Sequence, residues 1–138
     1  MQTASRLQIL TLALLCTIAS LPAAEQSPSD TKSPVRHVNA TQAQQLISDH
    51  KVIILDIRTP GEFKTGHLAG ATNIDFRAPD FEKTLNSLSK TNSYLVHCAV
   101  GARSTQSLKI FERNHFQSIY HLDGGLKAWE NAGLPIGK

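Results

Sequence analysis

The sequence predicts an α/β fold in which helices cover both faces of a parallel sheet. Three observations carry this. Strand and helix signals alternate from His37 onward, as in chains built from strand–helix–strand crossovers. Val52-Ile53-Ile54-Leu55 is a continuous apolar run, the mark of a strand buried on both faces. Tyr94-Leu95-Val96-His97 is a second such strand, and it runs straight into a short loop beginning at Cys98. Sheets of this type bind ligands at the carboxyl ends of their strands.

The N-terminal region reads differently. Arg6 is the only charge in residues 1–24, and an apolar run from Leu7 to Ile18 leads through small residues and Pro22 to Ala23-Ala24. A charged start, a short apolar core and a small-residue exit form the pattern of a secretory signal peptide. The run is short for a transmembrane helix, which needs about 20 apolar residues. An uncleaved anchor is the alternative. The expectation is an exported, periplasmic protein without stable membrane insertion once the signal is cleaved. Cleavage removes Cys16 and leaves Cys98 as the sole cysteine, so no internal disulfide can form. A lone thiol in an oxidising compartment is a liability unless it is deeply buried or used. Residues 25–36, rich in Ser, Pro and charge, read as a flexible leader into a domain over residues 37–136.

Within that domain the elements follow in order. Thr41 and Gln44 form a capping box ahead of Ala43, Leu46 and Ile47. The first strand ends at Asp56. Thr59-Pro60-Gly61-Glu62 is a second capping box with proline at the first helical position, and Gly66 follows that short helix. Ala71 to Ile74 can form a short strand, and Phe81, Leu85 and Leu88 mark a helix. Helix signals resume at Ala102, with Leu108 and Phe111 on one side. Ser118 to His121 is a last strand, and Leu126 with Trp129 marks a final helix whose tryptophan packs in the core.

Composition narrows the function. The formal net charge is +3 over 138 residues, with the charges scattered singly and no basic run interleaved with aromatics. Nucleic acid is therefore not the expected partner, whereas a mildly positive surface favours small anions. The chemistry sits in Cys98-Ala99-Val100-Gly101-Ala102-Arg103-Ser104. A loop between a strand and a helix can curl until successive backbone N–H groups point at one centre, and Gly101 supplies the conformational freedom. Such a cradle at a helix N-terminus stabilises a thiolate and lowers the cysteine pKa. The alternative is a buried structural cysteine.

The Cys-x-x-Gly-x-Arg-Ser stretch resembles the active-site loop of single-domain rhodanese-like proteins. Three further segments agree in order and spacing. They are Leu55-Asp56-Ile57-Arg58-Thr59-Pro60-Gly61-Glu62-Phe63, Gly66-His67-Leu68-Ala69-Gly70-Ala71-Thr72-Asn73-Ile74, and Gly124-Gly125-Leu126-Lys127-Ala128-Trp129 with Ala132-Gly133-Leu134-Pro135. The resemblance implies a three-layer α/β/α domain with a central five-stranded parallel sheet. It implies transfer of a sulfane sulfur from a donor such as thiosulfate to a thiol or cyanide acceptor. Cys98 would be the nucleophile and persulfide carrier, and the backbone amides of Ala99, Val100, Gly101, Ala102, Arg103 and Ser104 would cradle the outer sulfur. No metal or organic cofactor is implied. The implied partners are a small sulfur-donor anion and a thiol, with a protein acceptor also open.

Loop length separates this chemistry from another on the same fold. Cys98 to Arg103 is Cys-x4-Arg, one residue shorter than the Cys-x5-Arg loop that wraps a phosphate, so phosphatase or arsenate reductase ranks below sulfur transfer. A persulfide carrier or sulfide sensor is the reading from the binding class. Arg103 either holds an anionic donor or ties the loop down through an ion pair with Asp56. Arg58 and Glu62 read as scaffold, and His67 and His97 as structural histidines.

Overall fold

A computed structural model describes residues 33–138. The signal-peptide reading of residues 1–24 and most of the leader lie outside the described residues. Among the described residues, ten elements follow one another. They are β1 (Val35–Val38), α1 (Ala40–Ser48), β2 (Ile53–Asp56), α2 (Pro60–Thr65), β3 (Thr72–Asn73), α3 (Phe81–Asn86), β4 (Ser93–His97), α4 (Ala102–Arg113), β5 (Ser118–Leu122) and α5 (Gly125–Asn131). The five strands form one sheet in the order β1-β5-β4-β2-β3. Every pairing is parallel.

Alternation along the strands divides the core in two. Leu55, Tyr94, Val96 and Ile119 point to one face, where Phe81 and Leu85 of α3 and Leu108 and Phe111 of α4 cover them. Ile54, Leu95 and Leu122 point to the other face, against Ala43 of α1 and Leu126 and Trp129 of α5. Side chains of neighbouring strand residues take opposite faces, so an unbroken apolar run feeds both cores at once. The result is the expected three-layer α/β/α arrangement. Trp129 packs in the second core, and its indole N–H donates to the Pro135 carbonyl at 2.9 Å.

Several boundaries differ from the sequence reading; Leu88 lies past the end of α3, for example, and two differences fall at the start of the domain. The first helix is capped by Asn39 rather than Thr41. The Asn39 side chain accepts from the Gln42 amide at 2.9 Å, and the Gln42 side chain accepts from the Asn39 amide at 3.0 Å. Both frames satisfy the capping-box pattern, but this one starts the helix early enough to bury Ala40 together with Ala43. The strand β1 begins at Val35, inside the stretch read as leader. It is an edge strand paired only with β5, and of its four residues only Val38 is buried. It therefore lacks the apolar run that reveals a central strand.

The C-terminal end of the sheet is organised around Cys98. The chain leaves β4 there, turns through the loop and enters α4, while α5 starts close by. Gly125 has φ +60°, and a Cβ on it would lie 2.5 Å from the Cys98 carbonyl oxygen and 2.9 Å from the Ala99 carbonyl carbon. That closeness lets the Leu126 amide donate to the Cys98 carbonyl at 2.8 Å and the Lys127 amide to the Ala99 carbonyl at 2.9 Å. Backbone on both sides leaves nothing flexible to give way. Gly125→Ala is expected to destabilise the domain by at least ~2 kcal/mol, from left-handed strain and overpacking together. Urea denaturation of the variant beside the parent measures it.

Candidate active site

Cys98 is the first residue past the buried strand β4 and is 1% exposed. Its Sγ faces the inside of the loop. The Gly101 amide donates to Sγ at 3.2 Å, and the Ser104 hydroxyl lies 3.5 Å from it. Gly101, with φ +96°, is the N-cap of α4, and this left-handed turn swings its N–H inward. Burial pushes the Cys98 thiol up. Hydrogen bonds from the Ser104 hydroxyl and from the amides of Ser104, Val100 and Gly101 outweigh it, and the net shift is downward.

The flanking charges are arranged in two ion pairs. Asp56, at the end of β2, is fully buried. It accepts from the Arg58 amide at 3.0 Å, from Arg58 Nε at 3.0 Å and from Arg58 Nη2 at 2.6 Å. Arg58 Nη2 also donates to the Gly66 carbonyl at 2.7 Å. Asn73 braces the same turn by donating to the Asp56 and Arg58 carbonyls at 2.9 and 2.7 Å. The second pair is bidentate. Arg103 Nη1 and Nη2 donate to Glu62 Oε2 and Oε1 at 2.8 and 2.6 Å. Arg103 thus ties the loop to α2 through Glu62 and not through Asp56. Asp56 is already taken by the guanidinium two residues along the chain, which leaves the carboxylate in the first turn of α2 for Arg103.

His67 is structural. Its Nδ1 lies 3.0 Å from the Phe63 carbonyl, and its ring stacks on Phe63 with centroids 3.8 Å apart. His97 is fully buried, with Nδ1 3.2 Å from the Cys98 carbonyl. A carbonyl only accepts, so Nδ1 carries the proton. Burial holds the imidazole below its usual pKa and neutral. Its Nε2, 3.8 Å from Asp56 Oδ2, is the one buried side-chain polar atom without a hydrogen-bond partner among the described residues.

The sequence reading did not single out a further set of groups. Ser104 Oγ lies 2.8 Å from Nε2 of His121, a buried residue near the end of β5. His121 Nδ1 lies 2.9 Å from Asp123 Oδ1, and that same oxygen lies 2.7 Å from His37 Nδ1 on β1. These contacts have the spacing of hydrogen bonds. The only sequence signal was that His121 and Asp123 stand just before the double glycine. Beside the loop runs a cleft of about 280 Å³, lined by Ala99, Val100, Arg58, Lys127, Glu130 and Ile136.

The family model for the rhodanese-like domain matches residues 39–132. The chain belongs to the rhodanese-like family. Rhodanese-like domain-containing protein 17 of Arabidopsis thaliana is 31% identical over 137 residues, covering 91% of this chain and 86% of its own. Thiosulfate sulfurtransferase 16, chloroplastic, of the same plant is 31% identical over 124 residues, covering 81% and 97% respectively. Among solved structures, the crystal structure of a rhodanese-related protein from Thermoplasma volcanium superposes with a TM-score of 0.67 at 26% identity, covering 74% of this chain and 97% of that one. The rhodanese-like domain described here therefore has sulfurtransferase relatives and their five-stranded parallel α/β fold.

Hydrogen bonds from Arg103 hold the Glu62 carboxyl far below its ordinary value of 4.5, against burial and with help from Thr59. Proton binding at Glu62 thus favours the unfolded chain. The stabilisation is fully present above pH 4.5 and fades as pH falls through the acid range. Glu62→Gln should cost about 1 kcal/mol at pH 7, since the partly open pair is screened by solvent. The gap in urea midpoint between parent and variant should narrow steadily from pH 5 towards ~pH 3.

Proposed function

We propose that this rhodanese-like domain is an enzyme of the thiosulfate sulfurtransferase type, moving a sulfane sulfur through a Cys98 persulfide. The observation that carries the reading is the Cys98 thiol, held low by the Ser104 hydroxyl and the Gly101 amide inside the short loop that leads into α4. The Cys98 thiolate attacks the outer sulfur of a donor such as thiosulfate. A bond forms between Sγ and that sulfur, the donor's S–S bond breaks, and sulfite leaves with the electron pair. An acceptor thiolate or cyanide then attacks the outer sulfur, and Cys98 leaves as thiolate. The loop amides carry negative charge on sulfur in both halves. Lys127 in the neighbouring cleft offers a cation to an anionic donor, since Arg58 is held by Asp56.

The loop supports sulfur over phosphorus. Both terminal nitrogens of Arg103 are engaged by Glu62, so this arginine is committed to the scaffold and not aimed at an oxyanion. A carrier reading draws on Val100, which is 63% exposed at the loop tip, and on exposed Ile136 across the same cleft. An apolar rim beside the reactive sulfur suits a protein acceptor. We also infer that residues 1–24 direct the chain to an exported space, which N-terminal sequencing of the protein recovered from cells tests.

Intact-protein mass spectrometry after thiosulfate treatment should show a gain of one sulfur atom, reversed by cyanide. Cys98→Ser should show none and should melt as the parent does, because a hydroxyl is a poor nucleophile at neutral pH. Sulfur uptake by Cys98→Ser would remove the mechanism. No uptake by the parent, with its thiol titrating as free, would exclude thiosulfate as donor.

A further inference from the structure

Ser104 is the pivot of an unbroken chain of contacts from Cys98 to the protein surface. Its hydroxyl has one hydrogen and three neighbours, namely Cys98 Sγ at 3.5 Å, the Gly101 carbonyl at 3.0 Å and His121 Nε2 at 2.8 Å. The Gly101 carbonyl already accepts from the Thr105 amide and the Thr105 hydroxyl, each at 2.9 Å. The Ser104 hydrogen is therefore available to sulfur or to imidazole.

Which of the two receives it is decided at the far side of the ring. Burial alone would raise the Asp123 carboxyl, but hydrogen bonds from His37 and His121 hold it below its ordinary value and keep it an acceptor. His121 Nδ1 then carries a proton towards Asp123, and only Nε2 is left to change state. With Nε2 bare, it accepts from Ser104, and Cys98 remains a thiol. With Nε2 protonated, it donates to Ser104, whose hydrogen then points at a Cys98 thiolate. One proton passed through the hydroxyl interconverts the two. The S–H bond breaks, Ser104 exchanges one O–H for another, and an N–H bond forms on His121. Total charge is unchanged.

We propose that Asp123, His121 and Ser104 form a proton relay that sets the ionisation of Cys98, with His121 as the positioning residue and His37 at its solvent end. The relay rests on the reading of Cys98 as the nucleophile and deepens it. The groups facing His121 are Ser104 from α4, His37 from β1 and Asp123 just past β5. His37 and Asp123 are both half exposed, so protons exchange with water at that end. The persulfide half-reactions need a good nucleophile first and a good leaving group second. An imidazolium one hydroxyl away favours the thiolate in both roles.

The test uses no sulfur donor, so its outcome is separate from that of the sulfurtransferase reading. The rate of Cys98 alkylation by iodoacetamide is measured from pH 5 to pH 10 in EDTA, for the parent, His121→Gln and Ser104→Ala. Gln reproduces the Nε2 donor but cannot become a cation. The apparent Cys98 pKa should rise by about one unit in both variants, making alkylation roughly ten-fold slower below neutrality. A His121→Gln profile that superposes on the parent's overturns the relay. Should a variant fail to fold, the parent alone suffices. The NMR titration of the His121 ring is followed before and after Cys98 is alkylated. Removing the thiolate should lower the His121 midpoint, as coupled sites require. A midpoint that does not move overturns the relay.

Discussion

The loop around Cys98 can present its amides inward only if its carbonyls turn outward, and buried carbonyls need donors. The first turn of α5 supplies them. The Leu126 and Lys127 amides reach the Cys98 and Ala99 carbonyls because nothing but a hydrogen stands on Gly125. Helix N-termini carry N–H groups without intrahelical partners, so both sides of the contact are satisfied in one step. The double glycine, the reactive loop and the packing of α5 by Leu126 and Trp129 against the sheet are thus a single arrangement. Each part of it is uninformative alone.

Charge is used economically around this centre. Asp56 and Arg58 are buried together, with the carboxylate receiving both side-chain and main-chain donors. A pair removed from water needs further hydrogen bonds to hold together; the Gly66 carbonyl accepts from the guanidinium, and Asn73 braces the main chain of the turn. The pair fixes the turn after β2. That turn places Glu62 where it can grip Arg103. Two successive ion pairs thereby connect the end of β2 to the start of α4.

The sheet was legible in the sequence wherever a strand is central. Ile54-Leu55 and Tyr94-Leu95-Val96 alternate between two cores and so must be apolar throughout. The edge strand β1 escaped because Val-Arg-His-Val buries a single side chain. Capping boxes gave α2 its limits but placed α1 two residues late, since Asn39 and Thr41 both satisfy the local pattern and only the burial of Ala40 separates them. At the site, Cys98 was readable from its place at a strand end. The partner of Arg103 was not, because Glu62 and Asp56 are both carboxylates at plausible separations and the choice depends on Arg58 folding back first. His121 and Asp123 were least visible. The contact of His121 with Ser104 arises from the parallel register of β4 and β5, in which Val96 sits beside His121, and no local spacing encodes it.

The depth of Cys98 has a consequence for what the protein can meet safely. At 1% exposure the thiol is sheltered from bulky disulfides and from metal ions that need an open coordination sphere. In the proposed cycle a persulfide would set its outer sulfur about 2 Å beyond Sγ, among the inward loop amides. On that reading only a reactant small enough to enter the loop meets either sulfur, a selection by size that needs no moving part.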